Sequence, residues 1–113
     1  MSITIVKIFE DDKGHCPYLK WFKSIKDIKT RIRIQQRIRR IELGNFGVYR
    51  ALKGDIFEIK LSFGAGYRVY YGHEMKHTVV LLCGGDKSTQ KTDIENARKY
   101  WIHFKEKFYG KTD

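Results

Sequence analysis

The stretch DIFEIKLSFGAGYRVYY, residues 55–71, sets Glu58 and Lys60 two positions apart before a glycine-containing turn, and Arg68 and Tyr70 two positions apart after it. On extended strands, side chains two apart point the same way, so each pair shares a face. If the register pairs residues of like orientation, all four meet in one polar patch. A slip of one residue would put the two pairs on opposite faces. Lys87 follows at the end of the next extended run, in LLCGGDKSTQK, just ahead of a helix start whose backbone N–H groups and dipole favour an anion. The two glycines let that run end sharply and display Lys87, Ser88, Thr89 and Gln90 at one edge of the sheet. Such a cluster suits phosphodiester chemistry. To cleave RNA, a 2′-OH must lose a proton, a phosphorane must be stabilised and the leaving 5′-oxygen must gain a proton. Arg68 can neutralise the phosphorane, Lys60 or Lys87 can exchange the proton, and Glu58 can act as base or simply orient Lys60 and Arg68. The same residues would equally serve as a solvated face of ion pairs.

Other chemistries fit less well. A phosphate-binding loop of the form Gly-x-x-x-x-Gly-Lys-[Ser/Thr] would align with Lys87 and Ser88, but its glycines fall on Leu81 and Asp86. His15, His73, His77 and His103 show no pairing with the cluster and read as surface or packing residues. Cys16 and Cys83 are too far apart for a zinc knuckle or redox pair, and Cys83, ending an apolar run, reads as a buried free thiol. No metal-ligand spacing and no Ser-His-Asp or Cys-His arrangement is recognisable, so neither metal nor cofactor is expected.

The charge balance points the same way. The 113 residues carry 23 Lys and Arg against 13 Asp and Glu, a formal +10, with 42% apolar and 14% aromatic residues. This composition predicts one folded domain, 1–113, with a core of its own and a positive field that attracts polyanions in a salt-sensitive way. The start MSITIVKIFEDD lacks a signal-peptide core, and no apolar run approaches the roughly 18 residues of a membrane span, so a cytoplasmic location is expected.

The elements that must position the cluster follow from periodicity. ITIVKIF, residues 3–9, reads as a strand. Pro17 suits the first position of a helix, with Leu19, Phe22 and Ile25 at helical spacing behind it. Ile25, Ile28 and Ile32 share one side, whereas Ile34, Ile38 and Ile41 lie about half a turn away, so a turn near Lys26–Lys29 divides two helices in a hairpin. Gly44 ends the second helix. Its non-buried arc carries Arg31, Arg33, Arg37, Arg39 and Arg40, which suits a solvated face, the backbone of a large RNA or an acidic protein partner. Period two then marks a hairpin over residues 55–72, and HTVVLLCGG, apolar on both alternations, predicts a strand covered on both faces. Ile94, Ala97, Trp101, Phe104 and Phe108 mark a long amphipathic helix, with Thr92 and Glu95 as a capping box at its start. The expected order is β-α-α-β-β-β-α.

With those residues in place, LGNFG, FEIKL, GAGYRVYYG and LLCGGDKSTQKTDIENARKYW, in this order and spacing, closely resemble the phage-derived, HigB-like branch of the RelE/ParE toxin superfamily, often called addiction module killer proteins. The resemblance runs from about Ile5 to Trp101. It implies a small α+β, RelE-like fold in which a helical hairpin and a C-terminal helix flank a mainly antiparallel sheet. It also implies the toxin of a type II toxin–antitoxin system, neutralised by a HigA-like helix-turn-helix antitoxin. Toxins of the RelE and HigB type are mRNA interferases, metal-independent endoribonucleases that cut mRNA on the ribosome and inhibit translation, using basic and aromatic residues in place of histidines. By position, Arg68 resembles the arginine that stabilises the transition state, Lys60 the strand lysine, and Lys87 the basic residue after the last strand. Tyr70 and Gln90 are expected to stack on or hydrogen-bond RNA bases, and Arg33, Arg37, Arg40, Arg50 and Lys53 to contact RNA. No equivalent of the RelE-type catalytic tyrosine or the HigB-type histidine is present, which brings Glu58 forward as base. The same superfamily admits two other readings, a ParE-like non-enzymatic inhibitor of DNA gyrase and a decayed toxin that only binds antitoxin.

Overall fold

The structure is a computed structural model, and it describes residues 3–110. The termini of the expected domain, residues 1–2 and 111–113, lie outside the described residues. Strand β1 (Ile5–Ile8) is followed by helices α1 (Pro17–Ser24) and α2 (Ile28–Glu42), then by strands β2 (Arg50–Leu52), β3 (Ile56–Lys60), β4 (Arg68–Glu74) and β5 (Thr78–Gly85). A single 3₁₀ turn (Lys87–Thr89) leads into helix α3 (Gln90–Tyr109). The strands form one sheet in the order β1-β5-β4-β3-β2, parallel only between β1 and β5. The expected α+β architecture is therefore present, with the short strand β2 added at one edge.

The sheet separates two apolar layers. On one face Ile59, Leu61, Val69, Tyr71, Val79 and Leu81 pack with Tyr18, Ile25, Ile34 and Ile41 of the α1–α2 segment. On the other, Ile56, Tyr70, Val80, Leu82 and Cys83 pack with Ala97, Trp101 and Phe104 of α3. Strand β5 contributes to both layers, which explains why its sequence lacks alternation. Two tryptophans lie directly on strand backbone: a Cβ on Gly72 would come within 2.4 Å of Trp101, and one on Gly84 within 2.2 Å of Trp21. Glycine at these positions is a packing requirement.

Helix boundaries follow local chemistry. Pro17 starts α1. Helix α2 ends in a Schellman motif, with Gly44 in the left-handed region at φ 87°, its N–H on the Ile41 carbonyl at 2.9 Å and the Asn45 N–H on the Arg40 carbonyl at 2.8 Å. Two expectations need correction. The turn between Ser24 and Ile28 lies where the stripes change face, but only Ile25 of the first stripe is buried; Ile28 and Ile32 remain 63% and 46% exposed, because α2 lays Ile34 and Ile41 on the sheet instead. The cap ahead of α3 is not Thr92 with Glu95. The Asp86 carboxylate accepts from the Ser88 N–H at 2.8 Å and the Thr89 hydroxyl from the Asp86 N–H at 3.3 Å, so the chain starts turning six residues earlier. No helix of the described residues is long and apolar enough to cross a membrane.

Candidate active site

The β3–β4 register brings the four hairpin residues together. Lys60 lies opposite Arg68, and Glu58 opposite Tyr70, with Arg50 of β2 opposite Glu58 on the other side. Gly85 of β5 lies opposite Arg68, so β5 ends beside it and hands the chain to Lys87. Tyr70 packs under α3 and Glu58 is bonded to its first residue, whereas Lys60 reaches the groove beside α2.

Their environments differ sharply. Glu58 is 5% exposed, and both its oxygens are engaged. Oε1 lies 3.0 Å from Arg50 Nη2, while Oε2 accepts from Gln90 Nε2 at 2.9 Å and lies 3.8 Å from Arg68 Nε. A carboxylate so surrounded is a holder of cations, and of the two roles open to Glu58 this geometry fits orientation. Arg68 is itself buried, donating from Nη1 to the Gly66 carbonyl at 2.7 Å, with Nε lacking a hydrogen-bond partner among the described residues. A Cβ on Gly66 would sit 3.4 Å from that Nη1 and 3.5 Å from Lys87 Cβ, so only the bare Gly66 backbone stands between Arg68 and Lys87.

Lys60 and Lys87 are exposed, and neither forms an ion pair among the described residues. The tight turn that displays Lys87 is held by Asp86, whose carboxylate receives the Ser88 hydroxyl at 2.6 Å; the Ser88 hydrogen bonds keep its pKa below the usual value. Asp93, one turn into α3, accepts from the Thr89 hydroxyl at 2.5 Å, and burial, the dominant influence, holds its pKa above the usual value. The Asp-Lys-Ser-Thr spacing carried this signal in the sequence, since Asp and Ser residues close such turns through their side chains.

Two expected RNA contacts are relocated. Tyr70 is fully buried beneath α3, so its ring has no face to offer a base; burial first, and the Glu58 charge next, push its phenol pKa up. Gln90 spends its amide on Glu58. Arg50 is exposed along its length and tied to Glu58 at its tip. The Lys53 side chain is exposed, while its carbonyl accepts from Arg98 Nε at 2.8 Å. Arg33, Arg37 and Arg40 line a groove of about 250 Å³ together with Lys60, Ser62 and Phe63, where α2 passes the end of β3. The histidines lie elsewhere: His15 pairs with Asp11, His103 with Asp12, and His73 sits among aromatic rings on the opposite sheet face. Among the described residues no three His, Cys, Asp or Glu side chains gather as a metal site would require.

An uncharacterized protein of Haemophilus influenzae (strain Rd) is 42% identical over 78 residues, covering 69% of this chain and 79% of the relative. The profile of the family described as "Phage derived protein Gp49-like (DUF891)" matches residues 20–100, which hold Arg50, Glu58, Lys60, Arg68, Lys87 and Gln90. The chain therefore belongs to the phage-derived Gp49-like family, a family associated with toxin–antitoxin systems.

Proposed function

We propose that this protein is the toxin of a type II toxin–antitoxin module in the HigB-like branch of the RelE/ParE superfamily, acting in the cytoplasm as a ribosome-dependent mRNA endoribonuclease and neutralised by a helix-turn-helix antitoxin. The observation that carries the reading is the state of Arg68: an arginine buried at the start of the central strand β4, tethered to Gly66 and braced by Glu58, between two exposed lysines that no carboxylate of the described residues neutralises. A pre-organised guanidinium costs little to reorganise when charge develops on phosphorus.

In this mechanism Lys60 or Lys87, in its neutral form, takes the proton of the 2′-OH, and the 2′-oxygen attacks the adjacent phosphorus. Arg68 stabilises the resulting phosphorane. The bond to the 5′-oxygen breaks as the other lysine, in its ammonium form, supplies that oxygen with a proton, leaving a 2′,3′-cyclic phosphate and a 5′-OH. Glu58 orients Arg68 and takes no proton. Arg33, Arg37, Arg40, Arg50 and Lys53 extend the cationic surface along the RNA backbone.

The test is primer extension on a reporter mRNA after brief induction. Wild type should give discrete cuts within translated regions, and Arg68→Ala should lose them by a factor of about 10²–10³ while its circular dichroism stays native. Halted growth with intact mRNA would sink the nuclease reading and favour a protein target such as gyrase.

A further inference from the structure

On the sheet face away from Arg68, the part formed by β2, β3 and β4 carries aromatic rings that the helices leave partly uncovered. Phe57 and Tyr71 are partners across the β3–β4 ladder and stack at 5.3 Å, with Tyr71 buried beneath. Above them, the His73 ring meets Phe46 edge to face at 5.7 Å and Phe57 at 6.3 Å, while Tyr49 meets Phe57 at 6.0 Å. His73 is exposed, Tyr49 is 52% exposed, and Phe46 and Phe57 are half-buried.

This patch adjoins the arginine groove of α2. Arg37 donates from Nη2 to the Phe46 carbonyl, and its buried Nη1 has no partner among the described residues. The Arg33 guanidinium lies 4.1 Å from the Phe63 ring centroid. None of Arg33, Arg37, Arg40 and Lys60 forms an ion pair among the described residues. Exposed rings interleaved with uncompensated cations are the chemistry of single-stranded nucleic-acid surfaces, where bases stack on aromatic faces and phosphates meet arginine.

We propose that Phe46, Tyr49, Phe57 and His73, with the α2 arginine groove beside them, form a second contact surface for single-stranded RNA, distinct from the cleavage cluster. The inference rests on the RNA-directed reading above and extends it to the opposite sheet face. Lys60 joins the two surfaces: it lines the α2 groove and stands opposite Arg68 at the end of β3. A strand leaving Arg68 can pass Lys60 and lay its bases on the rings.

The test uses a fluorescently labelled 12-nucleotide single-stranded RNA with 2′-O-methyl sugars, which cannot be cut, and fluorescence anisotropy with the purified protein. Tyr49→Ala and His73→Ala should each weaken binding roughly ten-fold, and Tyr49→Phe should restore it. Arg40→Gln should lower the slope of log affinity against log salt by about one. Because Tyr49 and His73 are exposed, both alanine variants should keep the fold, with thermal melts as the check. Wild-type affinity in both alanine variants, or no binding by wild type, would overturn the proposal. So would a loss of antitoxin affinity with RNA binding unchanged, which would make the patch a protein interface. Normal oligonucleotide binding without mRNA cuts by wild type would count against the nuclease reading alone.

Discussion

Gln90, the first residue of α3, donates its side-chain amide to the Glu58 carboxylate in the middle of β3 at 2.9 Å. The contact fastens the helix to the sheet at the point where Arg50 and Arg68 also converge on Glu58. Glu58→Gln keeps the shape of this hub and removes its charge. In the proposed mechanism Glu58 positions Arg68 and transfers no proton, so Glu58→Gln should retain mRNA cleavage within about ten-fold of wild type. A catalytic base would lose about 10²–10⁴. Glu58→Ala, which leaves Arg68 buried without its counter-charge, should cost about 3 kcal/mol of stability, read from urea unfolding.

Gly72→Ala should destabilise the fold although alanine favours no wrong backbone here. Its methyl group would meet the Trp101 ring at 2.4 Å, between β4 and α3, where neither side can retreat without opening the second apolar layer. Overpacking of this kind costs about 1–3 kcal/mol, and a lowered urea midpoint with unchanged slope is the expected result.

The acid limb of stability should depend on Glu74. Its carboxylate is buried and lies 2.8 Å from Lys7 Nζ, and the hydrogen bond from Lys7 holds its pKa below the usual value of 4.5. A carboxyl depressed in the folded state adds stability above its unfolded pKa and loses it as pH falls through the folded one. Glu74→Gln should therefore be less stable than wild type by about 1 kcal/mol at pH 7. The difference should shrink below pH about 4.5 as wild type loses its advantage. A constant difference from pH 7 to 3 would contradict this assignment.

Arg68→Ala is the decisive variant for the proposed chemistry, and Tyr49→Ala and His73→Ala for the proposed second RNA surface. The two predictions separate because Arg68 faces α3 while Tyr49 and His73 lie on the other side of the sheet. Loss of cleavage in Arg68→Ala, measured by primer extension, should occur alongside native circular dichroism.

Much of this arrangement was legible in the chain. The alternation of Phe57, Ile59 and Leu61 with Glu58 and Lys60 marks a strand, although the face of Glu58 is covered by α3, and Gly44 and Pro17 mark helix ends through backbone chemistry acting over a few residues. The Ile28 and Ile32 stripe misled, because apolar spacing states that a helix has a face and not that a neighbour arrives to cover it. The Thr92–Glu95 pair misled for a related reason: two residues with capping chemistry stand close together, and Asp86 captures the turn first.

The sequence by itself determined the strong positive charge, the elements and the residue types of the candidate cluster, because these depend on composition and short-range periodicity. Tertiary structure alone decided which of those residues are reachable. Burial beneath α3 removed Tyr70 from the surface and enclosed Glu58, and the partly uncovered face of β3 and β4 left His73, and Tyr49 just ahead of β2, open. Exposure is set by which distant segment packs on a given face, and no spacing along the chain encodes that.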